Sequence, residues 1–244
     1  MLLWSVALAL SVAGSLGGLV AASLLFVASH DLRLRAVPWL VSYAVGTLLG
    51  AALLGLIPEA IAELPTRPVF ISLLGGVLTF FILEKLVILH HCHEEEECAV
   101  HKSTAPLVII GHAVHTFVDG VVIAAAVLVS IPLGVTTTMA IVAHEIPQQA
   151  GDFAVLLAAG YSRSRAFLLN LASVAGGIGG ALAMLAFGPL APRAIPYVLA
   201  FAAGNFLYIA MADLIPNLHR GNAGQSATRQ VILIVLGVLT IAAR

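Results

Sequence analysis

"APLVIIGHAVHTFVDGVVIAAAVLV", residues 105–129, carries one aspartate, Asp119, and no glutamate, lysine or arginine. At 1.5 Å per residue a helix of this length reaches ~37 Å, beyond the ~30 Å hydrocarbon core of a bilayer. The run therefore predicts a membrane-crossing helix. Its middle nevertheless holds His112, His115, Thr116 and Asp119, which fall three and four residues apart and share one helix face.

The surrounding composition agrees with a membrane setting. Of 244 residues, 61% are hydrophobic and 9% charged, with mean hydropathy +1.08, and a soluble domain of this length would need more charge to cover its surface. A net charge of −1 argues against a nucleic-acid partner. Long polar stretches are nearly absent, so residues 1–244 read as one polytopic transmembrane domain. The first apolar segment is too long for the core of a cleavable signal peptide and lacks basic residues before it, so it is expected to be a retained span. Two cysteines, Cys92 and Cys98, are too few for a disulfide framework.

Turn and charge clusters divide the chain into eight expected spans, at 4–28, 37–61, 69–90, 105–129, 133–159, 165–187, 196–218 and 228–243. Each must be helical, because lipid-exposed backbone has to satisfy its own hydrogen bonds. The period-two alternation of a barrel is nowhere sustained. With the N-terminus outside, the inner side collects Arg33, Arg35, Lys85, Lys102, Arg163, Arg165, Arg220 and Arg229, against Arg67, Arg193 and Arg244 outside. That bias predicts both termini outside, and an odd number of spans would spoil it.

An internal repeat runs at an offset of 158 residues. Pro38, Gly46 and "LIPE" (56–59) align with Pro196, Gly204 and "LIPN" (214–217), and Ser15 and Gly18 with Ser173 and Gly176. Five spans separate corresponding helices, so the copies run oppositely through the membrane, the pattern of inverted repeats in secondary transporters. The expected architecture is an all-α membrane protein of eight transmembrane helices in a 3+2+3 arrangement, with helices 1–3 and 6–8 as the repeats and helices 4 and 5 between them.

The fifth span repeats the chemistry of the fourth. "AHEIPQQAGD", 143–152, offers His144, Glu145, Gln148, Gln149 and Asp152 at helical spacing, and both clusters sit near the bilayer midplane. A charge there costs ~2.5–3.5 kcal/mol on insertion scales, so the group is expected to face a partner or a wet path. A divalent cation fits, since Asp119 and Glu145 offset two charges while imidazole and amide groups complete the shell. Pro147 donates no backbone hydrogen bond, which leaves the Ala143 carbonyl free to face the site. A zinc-protease helix would need a second histidine four residues after His144, and Gln148 stands there instead.

"HTFVDG" followed by "HEIPQQAGD" resembles the paired helix 4 and helix 5 motifs of the ZIP family of metal-ion transporters. The form "HEIPxxxGDF" is closest to its LIV-1-type branch. "LIPEA", "YIAMADLIPNL" and the histidine-rich stretch after the third span fit as well, so the resemblance covers nearly the whole chain. It implies import of zinc (Zn2+), or of iron or manganese, through a binuclear site between helices 4 and 5. His115 and Asp119 match the helix 4 ligands, and His144 and Glu145 those of helix 5. The family usually has asparagine at Thr116 and histidine or glutamate at Gln148, departures that fall on the second metal position.

The stretch "HHCHEEEECAVH", 90–101, is expected to face the cytosol within a loop over 90–104 that captures cargo through His90, His91, Cys92, His93, Cys98 and His101. A reducing cytosol keeps both cysteines as thiols. The expected setting is the cell (plasma or inner) membrane. The expected partners are divalent metal ions, cadmium among them, the lipid bilayer and, as an open option, a second copy in a homodimer. An intramembrane metalloenzyme using the same cluster is the alternative of another class, and a metal exporter of another fold is a third.

Overall fold

The structure, a computed structural model, describes residues 2–27, 30–89, 100–220 and 227–243. Among the described residues it is all helical, with no strand. Helix α1 is Leu2–Val27, α2 covers residues 30–63, and α3 is Thr66–Leu89. Helices α4, Val100–Val129, and α5, Ile131–Ala158, follow. Then come α6, Arg163–Phe187, α7 over residues 195–220, and α8, Ala227–Ala242.

Six of these, α1 to α4, α6 and α7, contain segments long and apolar enough to cross a membrane. Helix α5 has the length, at 28 residues, but Thr136, Thr137, Thr138 and its polar cluster lower its hydropathy. Helix α8 is apolar but only 16 residues long. Helix extends beyond two of the expected spans: residues 30–36 before the second and 100–104 before the fourth are helical as well. Hydropathy marks where hydrocarbon begins, whereas intrahelical hydrogen bonds continue past it. Pro38 accordingly lies inside α2 rather than at its edge.

Local signals set the turns beside the central pair. Ser130 caps α5 by accepting from the Leu133 N–H, with Pro132 in the first turn. Gly160, at φ 85°, reverses the chain after α5, and Ser162 caps α6 by accepting from the Arg165 N–H.

Helices α2 and α7 each contain one π-helical segment, Ala51–Leu56 and Ile209–Leu214, separated by the same 158 residues as the sequence repeat. The cause lies one or two residues on. Pro58 and Pro216 have no N–H for the carbonyl four residues earlier, and the preceding amides of Ile57 and Ile215 bond five residues back, to Ala52 and Ala210. Wider π turns of this kind are frequent at functional sites.

Packing follows the repeat too. Helix α4 lies along α6 and α1 along α5, while α3 lies along α7 and α8 along α2. Exchanging α1 with α6, α2 with α7, α3 with α8 and α4 with α5 maps each of these pairs onto another. Glycines set the α3–α7 and α2–α8 crossings. A Cβ on Gly204 would stand 2.0 Å from the Leu73 carbonyl oxygen, and one on Gly46 would stand 2.0 Å from that of Ile234. Helix α5 also touches α2, and α4 touches α7.

Candidate metal centre

His115 and Asp119 on α4 and His144 and Glu145 on α5 converge. One ligand atom from each lies within 4.8 Å of all the others, and all four residues are buried. Nε2 of His115 is 3.1 Å from Nε2 of His144. Oδ2 of Asp119 is 3.5 Å from the first and 3.4 Å from the second, and Oε1 of Glu145 is 3.6 Å from His115. Ligand atoms at ~2.0 Å from a tetrahedral zinc stand about 3.3 Å apart, so these edges approach that figure.

The histidine tautomer follows from the helix. Nδ1 of His144 lies 3.0 Å from the Ala140 carbonyl, which can only accept, so this nitrogen carries the proton and in the neutral ring Nε2 presents its lone pair. Phe80 of α3 meets the His115 ring edge-on at 5.6 Å, and Phe206 of α7 lies 5.9 Å from the His144 ring. Both carboxylates are short of protein partners. The two oxygens of Asp119 and Oε1 of Glu145 make no hydrogen bond among the described residues. Two buried carboxylates in this state cost several kcal/mol each unless a cation offsets them.

The remaining candidates take distinct places around this cluster. Gln149 donates from Nε2 to Oε2 of Glu145 at 2.7 Å, fixing that carboxylate. Thr116 donates its hydroxyl to the Ser173 carbonyl at 2.7 Å and to that of Ala113 at 3.1 Å, tying α4 to α6. His112, Gln148 and Asp152 lie on the other side, along a cavity of about 270 Å³ that also reaches His115. Glu84, Tyr208 and Asp213 line the same cavity further out, where Tyr208 donates to Glu84 at 2.5 Å. Acidic walls lower the potential a cation meets in this cavity. His90, His91, Cys92, His93 and Cys98 lie outside the described residues, and His101 falls in the first turn of α4.

Sequence reading misses several contributors. Phe80, Phe206 and the Glu84–Tyr208 pair come from α3 and α7, and no spacing links those helices to α4 and α5. Gly18 was visible only as a repeat match, yet a Cβ there would stand 2.6 Å from Cβ of Glu145, so its absence lets α1 back the site.

The chain is similar to known proteins. A sequence model of the family described as "ZIP Zinc transporter" matches residues 89–243. The chain is 32% identical to "Zinc transporter ZIP13" of Pongo abelii, over 86% of this chain and 68% of that protein. It is 30% identical to the protein of the same name from Homo sapiens, over 86% and 72%. A shorter match, 44% identical over 45% of this chain and 16% of its relative, is to "Zinc transporter ZIP4" of Mus musculus.

Proposed function

This chain belongs to the ZIP family of zinc transporters, and on that footing we propose that it moves zinc into the cytoplasm through His115, Asp119, His144 and Glu145. That it is an integral membrane transporter of divalent metal, and not an enzyme, follows from the family and the relatives. The metalloenzyme alternative finds no support there. The observation that carries the choice of residues is the convergence of four buried ligand atoms from α4 and α5 within 4.8 Å. Asp119 and Glu145 supply the two charges a dication must meet at the midplane. The imidazoles suit zinc, with iron, manganese and cadmium as further cargo.

Direction and placement belong to the same reading. The Lys/Arg bias supports both termini outside the cell (plasma or inner) membrane. The cavity past Glu84 and Asp213 then opens on the cytosolic side, and we assign the stretch 90–104, of which residues 100–104 belong to α4, to capture of arriving metal. Pairing of two copies is also part of the reading and is checked by cross-linking in native membranes.

Uptake into proteoliposomes, with zinc, manganese, iron and cadmium side by side, tests the function. Saturable zinc flux is expected, and no metal-dependent flux for any of the four would refute the reading. Replacing the loop residues His90, His91, Cys92, His93 and Cys98 by serine should keep part of the flux and lower the zinc bound per chain. Complete loss of transport would instead put the loop on the path itself.

A further inference from the structure

Two aromatic rings cover the imidazoles of the cluster from the α3 and α7 side, Phe80 at 79° to the His115 ring and Phe206 against the His144 ring. Phe206 is wholly buried, whereas Phe80 borders the cavity. His115 is the ligand of the four that lines the same cavity. Its ring has the other ligands on one side and open space on the other, and a change of side-chain rotamer carries an imidazole from one to the other. Phe80 stands against that ring, its centroid 5.6 Å away.

The internal repeat supplies a comparison for both aromatic positions. Helix α3 meets α7 at Gly76, whose Cβ would stand 2.0 Å from the Phe201 carbonyl oxygen, and α8 meets α2 at Gly237, whose Cβ would stand 2.5 Å from that of Tyr43. Phe201 and Tyr43 are themselves equivalent under the repeat offset. Phe80, one turn after Gly76, therefore corresponds to Ile241, one turn after Gly237, and Phe206 corresponds to Leu48. Ile241 and Leu48 are fully buried members of the main apolar core. Aliphatic side chains thus satisfy helix packing at these positions, and the aromatic pair stands in the half of the protein that carries the cavity.

We propose that Phe80 is a positioning residue for metal release: its ring holds the His115 imidazole toward the other ligands, and the ion passes to the cavity when that ring turns aside and His115 swings after it. The inference rests on His115 being a ligand, as the transport reading has it. An edge-to-face ring pair biases orientation without locking it. Gating steps of this kind set the turnover of many proteins that must let go of what they bind. The apolar ring also limits access of cavity water to the ligand atoms, which strengthens their hold on a cation while the gate is closed.

Zinc uptake into proteoliposomes by wild type, Phe80→Ala, Phe80→Leu and Phe80→Tyr tests this. In Phe80→Ala the half-saturation concentration should rise roughly 2- to 10-fold, the worth of an edge-to-face ring pair. Its maximal flux should equal or exceed that of wild type, because release is unobstructed. Phe80→Leu keeps apolar bulk without the ring; it should show the same two changes, and it carries the test if Phe80→Ala does not insert. Phe80→Tyr keeps the ring and should stay near wild type in both. In a His115→Ala background Phe80→Ala should raise the half-saturation no further, since the ring acts through that imidazole. An unchanged half-saturation in Phe80→Leu, or a maximal flux below wild type, overturns the proposal. Saturable uptake that His115→Ala leaves untouched would instead sink the ligand assignment on which it rests.

Discussion

Nε2 of His115 and Nε2 of His144 face each other at 3.1 Å between α4 and α5. The carbonyl of Ala140 holds the His144 tautomer that leaves its nitrogen unprotonated. The pair thus offers a lone pair between the Asp119 and Glu145 carboxylates, a donor set that suits a dication.

Removing either imidazole should therefore weaken zinc. His115→Ala and His144→Ala are expected to raise the half-saturation concentration for zinc uptake by at least roughly the 10- to 100-fold that loss of an outer-shell partner costs at metal sites. Uptake titrations over a wide zinc range measure this. An unchanged half-saturation in both variants would remove the histidines from the site.

Gln149 acts through Glu145, whose Oε2 it holds at 2.7 Å. Gln149→Leu should weaken zinc by roughly tenfold, while Gln149→Glu, which sets a second carboxylate against the first, should be worse. The order wild type, Leu, Glu in zinc affinity is the readout, and equal affinities would mean that the amide only fills space.

Gly18→Ala tests the backing of the site by α1. The new Cβ would meet Cβ of Glu145 at 2.6 Å, and overpacking of this kind costs about 1–3 kcal/mol. Lower thermal stability and weaker zinc uptake are expected together. Gly151→Ala, on α5 with nothing within 4 Å of its Cβ position, should leave both unchanged.

Much of this was legible in the sequence, for identifiable reasons. Membrane helices declare themselves because backbone in lipid must be satisfied locally, and His115, Asp119, His144 and Glu145 declare themselves because ionisable groups at midplane are costly. The helical residues 30–36 and 100–104 were not legible, since a helical extension beyond the hydrocarbon has no hydropathy signal. The π segments were readable in principle: "LIP" at 56–58 and again at 214–216 places a proline at the same point of each repeat, and proline releases a carbonyl for a longer bond. Phe80, Phe206, Tyr208 and Glu84 were beyond reach, because their meeting with the site depends on how α3 and α7 pack on α4 and α5.

Gln148→His probes selectivity. An amide oxygen is a neutral ligand acceptable to a harder ion, whereas imidazole favours zinc over manganese. The variant should show a lower half-saturation for zinc with little gain for manganese. Where release becomes limiting, its maximal zinc flux should fall. Competition uptake with both metals is the check, and an unchanged zinc half-saturation would mean that Gln148 does not touch the ion.

The central claim is that a dication crosses the membrane by way of the Asp119 and Glu145 carboxylates. Zinc uptake into proteoliposomes by wild type, Asp119→Ala and Glu145→Ala, at equal amounts of inserted and monodisperse protein, tests it most directly. The account predicts saturable uptake by wild type and none above protein-free liposomes for either variant, since each removes a charge needed by the ion and not by membrane insertion. Near-normal zinc uptake by either variant would contradict it.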